Sequence, residues 1–214
     1  RPRVGPPEFL RFAEPGDQEP VRVTAIVGET IEADNVAGVL RVPTAGRLVV
    51  SDTRIGTDDA STGGDTGRGS ALFDWDGSMV LDRPAGRAQM LRRVRLVHRP
   101  IDGRGAIELE CEHLDSTFES GSAVRLTDPT ESDALTAVNA VGAVWARSGE
   151  QQMLCDEMAY DPSSGVATAN AAAGGWVTLF STSRSTPITA AELEWNVDSG
   201  RIDVIRPSPV SAPR

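Results

Sequence analysis

The stretch Cys155-Asp156-Glu157-Met158-Ala159-Tyr160-Asp161-Pro162-Ser163-Ser164-Gly165 decides how the chain is read. Met158 and Tyr160 are two residues apart and share one face of a strand, since side chains alternate with period two. Asp161 to Gly165 supplies the residues that close a turn. The skeleton is a small residue, two mostly polar ones, an apolar fourth position, a second apolar residue two further on, and Gly seven after the fourth. It recurs. Ala190 to Trp195 leads to Gly200, Cys111 to Leu114 leads to Gly121, and Asp76 to Leu81 leads to Gly86. A weaker copy, Ala33-Asp34-Asn35-Val36, leads to Gly46.

The fourth positions, Val36, Met79, Leu114, Met158 and Leu193, are separated by 43, 35, 44 and 35 residues. A period in this range means stacked supersecondary units, each lending its neighbour the apolar layer that neither can bury alone. The alternation predicts a duplicated double unit, 36–113 and 114–206, within one array over 21–206. The expected class is all-β, a β-solenoid-like stack of about five strand-turn repeats. Composition agrees: aromatics make up 5% of the chain, while 21 Gly and 14 Pro interrupt it too often for long helices.

No apolar run approaches the roughly 20 residues of a membrane-spanning helix, so no transmembrane span is expected in this chain. Residues 1–20, rich in Pro and Glu, read as an extended leader or linker, and 207–214 as a Pro-rich tail. The net charge of −10 argues against a general nucleic-acid binder, which needs a basic surface. All 21 basic residues are Arg, a pattern of GC-rich coding rather than of chemistry.

Cys111 and Cys155 both occupy the small-residue slot of the repeat, where Ala33 and Ala190 stand in other copies. They are expected to serve as small core residues, with a disulfide open if the two copies are neighbours. No CxxC pair or Cys/His cluster is present, so no structural zinc site is expected. Two readings attach to the loop at 56–69: its glycines as a phosphate cradle, and Asp58, Asp59 and Asp65 as calcium ligands. It lacks both the Gly-x-x-x-x-Gly-Lys pattern and the EF-hand spacing. An exposed insertion is the preferred reading.

Along the chain, strands are expected over Val21 to Val27, Thr30 to Val36, Val39 to Val42 and Leu48 to Val50. The last two flank Pro43-Thr44-Ala45-Gly46 in a hairpin-like arrangement. Leu72 to Leu81 alternates again. Residues 88–98 fit a short helix through Met90, Leu91, Val94 and Val97, but the repeat register favours a strand with Arg93, Arg95 and Arg99 on one face. These arginines form a basic band between Arg83 and Arg104, suited either to phosphate or carboxylate head groups or to ion pairs with Glu108, Glu110 and Glu112. Ile107 to Phe118 is a strand. The Ala-rich run at 134–147 is also read as one despite its helical composition, because Val138, Ala140, Gly142 and Val144 alternate. Val177 to Phe180, Ile188 to Trp195 and Ile202 to Ile205 complete the set.

Ala140 to Val144, Cys155 to Asp161 with Gly165, Val177 to Phe180, and Ala190 to Trp195 with Gly200 together resemble the OstA-like β-jellyroll, the periplasmic domain of the lipopolysaccharide-transport (Lpt) family. The resemblance is closest over 134–206, weaker over 70–120 and weakest before residue 50. It implies a folded-over, open-edged antiparallel β-jellyroll whose interior takes acyl chains. It also implies terminal edges that join other OstA-like domains end to end by strand addition.

Carried over residue by residue, the lipid groove would be lined by Met79, Leu81, Leu114, Val144, Met158, Tyr160, Val177, Leu179, Leu193 and Trp195. Arg93, Arg95 and Arg99 are the head-group candidates. The implied function is carriage of lipopolysaccharide, or a similar amphipathic lipid, across a Gram-negative-type periplasm, with any membrane anchor in a segment outside this chain and no cofactor. The alternative is a structural or adhesive β-repeat module in which the same inner row is ordinary core. An enzyme is not expected: His98 and His113 are the neutral-pH bases on offer, and neither lies in a nucleophile motif.

Overall fold

The structure, a computed structural model, describes residues 22–52, 69–100, 105–118 and 135–207. The leader, the glycine-rich loop as far as Arg68, Gly121, and the tail from residue 208 lie outside the described residues.

Among the described residues, fourteen antiparallel strands form one sheet: β1 (Arg22–Gly28), β2 (Glu32–Asp34), β3 (Val39–Val42), β4 (Gly46–Asp52), β5 (Gly69–Trp75), β6 (Met79–Asp82), β7 (Arg87–Pro100), β8 (Ile107–Phe118), β9 (Leu135–Ser148), β10 (Gln151–Asp161), β11 (Val166–Asn170), β12 (Val177–Ser181), β13 (Ile188–Asn196) and β14 (Ile202–Pro207). Among the described residues there is no helix. The two ambiguous stretches, 88–98 and 134–147, are both strand.

Pairing shows how the sheet is divided. β7 pairs β6 through Arg87 to Met90 and β5 through Arg95 to Pro100. β10 likewise pairs β12 through Gln151 to Leu154 and β11 through Glu157 to Asp161. At the same level every long strand carries an irregularity. The register slips between Leu91 and Val94, between Glu110 and His113, and between Cys155 and Glu157. Arg92, Arg93, Gly142 and Ala143 all have positive φ there. Bulges bend a strand and raise its twist, so aligned bulges make a crease. β7, β8, β9, β10 and β13 cross it unbroken, whereas the passes β1–β2, β3–β4, β5–β6 and β11–β12 break on it.

The crease separates two leaves. Leaf A holds β1, β4, β5, β12 and the 94–100, 107–111, 144–148, 151–155 and 188–190 segments of the long strands. Leaf B holds β2, β3, β6, β11 and the segments 87–91, 113–118, 135–141, 157–161 and 192–196. Their inward rows fall into a single buried cluster, Val94, Leu109, Val144, Met153 and Leu179 from leaf A with Val42, Met79, Leu114, Met158 and Leu193 from leaf B. Burial of both rows in one cluster requires the leaves to face each other, with the crease on one side and a mouth of turns on the other.

Two expectations before residue 50 are corrected. β3 and β4 are not a hairpin: β3 pairs β2 and β6, while β4 pairs β1 and β5. Residues 43–45 are where the chain crosses the crease. Val36 is also not an apolar repeat position, being 100% exposed in the β2–β3 turn. The first copy is instead Ile31 leading to Gly38, seven residues on as in Met79 to Gly86. Leu72 to Leu81 is likewise two strands, β5 and β6, interrupted at the crease by residues 76–78.

The repeat has a physical unit, an Asx residue followed four positions later by a glycine in the left-handed region. Asp34, Asp82, Asp161 and Asn196 each accept hydrogen bonds from backbone N–H groups within their own turns, and Gly38, Gly86, Gly165 and Gly200 have φ between +58° and +69°. These turns line the leaf B side of the mouth.

Candidate functional site

All ten groove candidates point inward. Met79, Leu114, Met158, Leu193 and Trp195 from leaf B and Val144, Val177 and Leu179 from leaf A are buried, and Leu81 and Tyr160 pack against them. Seven of the ten belong to leaf B, because the repeat skeleton marks that leaf. The rest of the facing row, with Val94, Leu109 and Met153 in it, was missed for the same reason: it lies between one skeleton and the next. In this state the two rows pack on each other as a closed apolar interior.

Trp195 is 2% exposed and its Nε1–H has no acceptor among the described residues, whereas the equally buried Trp75 donates Nε1–H to the Thr44 carbonyl at 2.9 Å. Buried indole N–H groups normally find a partner.

The mouth has its own geometry. Between the leaf A tips at Ile107, Ser148 and Gln151 and the leaf B turn Val197 to Gly200 lies an open pocket of about 320 Å³. Val197 lines this pocket and also packs against the core, so it divides the polar rim from the apolar interior. Across the mouth, Gln151 Nε2 donates to the Gly200 carbonyl at 2.8 Å, tying leaf A to leaf B. No local signal in the sequence could have paired these residues.

The arginine candidates are not gathered at the mouth. They run along the outer face of leaf A, with Arg93 at the crease and Arg99 next to Pro100, which lines the mouth pocket. Six residues of strand separate them, about 20 Å. Arg93 is paired with Asp76, and Arg95 reaches Glu108 at 3.5 Å and Glu110 at 3.6 Å. Arg95 continues an alternation of charge that begins with Arg47 and Asp74, which are 2.6 Å apart. Of the three, Arg99 is the one that stands beside the mouth.

The cysteines are both buried and free. Cys155 stands opposite Val144 on β9, and Cys111 lies beyond that strand on β8. Two strand spacings, roughly 9–10 Å, exceed the span of a disulfide. Burial pushes both thiols up to about 12, with the backbone hydrogen bonds of His113 and Glu157 opposing the shift. Cys111 faces the core while His113 faces outward. His113 Nε2 lies 3.0 Å from Asp115 Oδ2.

No protein-family model matches the sequence, and no curated protein matches it.

Proposed function

We propose that this chain is a cell-envelope lipid carrier of the OstA-like β-jellyroll type. Acyl chains of lipopolysaccharide, or of a similar amphiphile, are held between the two leaves during passage across a periplasm. The observation that carries the proposal is the asymmetry of the sandwich. On one side the leaves are joined by continuous bent strands; on the other they meet through turns, where Gln151 bonds Gly200. Such a body opens like a book about its crease and presents two apolar rows to a guest. The unmatched Trp195 N–H fits a guest that carries ester or amide carbonyls beside its hydrocarbon.

The ends fit carriage by a chain of domains. β2 and β14 each have one strand neighbour among the described residues, and unpaired edges accept strands from other domains. No described helix is long and apolar enough to cross a membrane. The full burial of Val144, Val177 and Leu193 favours the alternative, a structural or adhesive module with a permanent core.

Photo-crosslinking decides between them. A photoreactive residue replacing Met158 or, separately, Leu193 in exported protein is expected to capture lipopolysaccharide, while the exposed neighbour Glu157 captures none. A folded, exported protein with no lipid adduct at either inward position would leave the structural module.

A further inference from the structure

The leaf B turns are joined by one repeated bond. Arg83 N–H donates to the Gly38 carbonyl at 3.2 Å, Phe118 N–H to Gly86 at 2.8 Å, and Val197 N–H to Gly165 at 2.9 Å. In each case the donor ends one strand and the acceptor is the glycine that precedes its antiparallel neighbour. The register repeats too: Val39 opposes Asp82, Arg87 opposes Thr117, and Val166 opposes Asn196. Gly200 is the last glycine of this ladder, and β14, which follows it, has β13 as its strand neighbour among the described residues. The Gly200 carbonyl, where the next donor would stand, is occupied by the side chain of Gln151 reaching from leaf A. At the opposite end, Asn35 follows Asp34 as Arg83 follows Asp82, on the edge strand β2.

We propose that Gln151 is a cap on the growing end of this ladder, and that a second copy of the same chain docks by placing its Asn35 N–H on Gly200 in place of the glutamine. The inference rests on the end-to-end reading and adds to it the partner, the register and the competitor. Continuing the ladder sets Arg201, which pairs Asp203 within its own chain, opposite the second copy's Asp34, so that the arginine lies among Asp34, Asp203 and the second copy's Glu32, the residue opposite Asp203. It sets Ile202 opposite Ala33, and Val204 opposite Ile31. Val204 and Ile31 are 43% and 47% exposed in the single chain, and the joint would cover both. The contact is head to tail and does not close on itself, so without restraint it would run on into fibres. A side chain that competes for the terminal carbonyl supplies that restraint, as edge strands of stable proteins require.

The test uses the full chain and two readouts. Sedimentation velocity compares wild type with Gln151→Ala and Gln151→Met, both of which remove the amide donor; circular dichroism checks that each is folded. Association is expected to tighten about threefold to tenfold in both variants, the scale of one net hydrogen bond. Oxidative crosslinking then mixes Ile31→Cys with Val204→Cys. The mixture is expected to give a disulfide dimer that neither variant gives alone, because in this register Ile31 meets Val204 and not itself. Equal association of wild type and both Gln151 variants, with the mixed crosslink present, would overturn the cap and keep the joint. Association without the mixed crosslink would overturn the register. Failure of every form to associate at high concentration would remove the end-to-end reading and the cap together.

Discussion

Val197 donates its backbone N–H to the carbonyl of Gly165 at 2.9 Å, fixing the turn that ends β13 against the turn that begins β11. The bond depends on Gly165 holding φ +67°, a conformation that costs a residue with a side chain about 1–2 kcal/mol. A Cβ at this position would also stand 2.5 Å from Asp198 Oδ2, whereas at Gly200 its nearest neighbour would be Gln151 Oε1 at 3.6 Å.

The two glycines therefore separate backbone strain from crowding. Gly200→Ala is expected to lower stability by about 1–2 kcal/mol, the conformational cost alone. Gly165→Ala is expected to cost more, because Asp198 must also move. Urea titration of both variants measures the difference. Equal losses would mean that Asp198 moves aside freely and that φ accounts for the whole effect.

These glycines are also why so much of the fold was legible. The spacing from Met79 to Gly86, Met158 to Gly165 and Leu193 to Gly200 is the length of one strand end plus one Asx turn, and it survives in sequence because few other residues hold that φ. Before residue 50 the same signal misleads. Gly46 resembles the closing glycine, but Ile31 and Gly38 are the true pair, and Pro43 to Ala45 looks like a hairpin turn where the chain crosses the crease. The crease itself left a trace in Gly142 and none in Arg92, Arg93 and Ala143, whose positive φ no propensity would suggest. The mouth bond of Gln151 to Gly200 was illegible in principle, since it joins side chain to backbone across two leaves.

The Asp161 turn carries a pH signature. Hydrogen bonds from the Ser163 and Ser164 hydroxyls, then from the Ser163 amide, hold this carboxyl below its ordinary value. A depressed carboxyl contributes stability that is present above its unfolded pKa of about 3.9 and is lost as pH falls through the folded value. Asp161→Asn keeps an acceptor oxygen, as Asn196 does in the sister turn, and removes the titration. Melting temperatures measured from pH 7 to pH 2 are expected to converge between wild type and the variant below about pH 4. Parallel curves would show that the turn hydrogen bonds do not favour the ionised form.

Cys111 and Cys155 are expected to be inert in the native protein. Their folded pKa values of about 12 leave almost no thiolate at pH 8. A thiol raised in this way contributes stability below its unfolded pKa of about 8.5, and that contribution declines as pH rises toward the folded value. Labelling with an aromatic disulfide at pH 8 should give no release in buffer and two equivalents in urea, matching the two cysteines of the sequence. Fast labelling of one equivalent in buffer would mean that a leaf opens locally around that strand.

Trp75 and Trp195 allow the interior to be tested without a ligand. Both are 2% exposed, but Trp75 Nε1–H is bonded to Thr44 and Trp195 Nε1–H is not. Replacement by Phe removes similar volume at each site, so the loss from packing is comparable. At Trp75 it also breaks the hydrogen bond to the Thr44 carbonyl, a further cost of about 0.5–1.5 kcal/mol. At Trp195 it removes a donor whose desolvation is uncompensated, which offsets part of the packing loss. Trp75→Phe is therefore expected to be the more destabilising of the two in urea titration of the purified protein. Were Trp195→Phe the costlier change, its N–H would have to find an acceptor in solution, either a water admitted through the mouth or a guest already held between the leaves. Repeating the titration after extraction with detergent separates those two: a guest is removed by extraction, and the order of the variants then reverses.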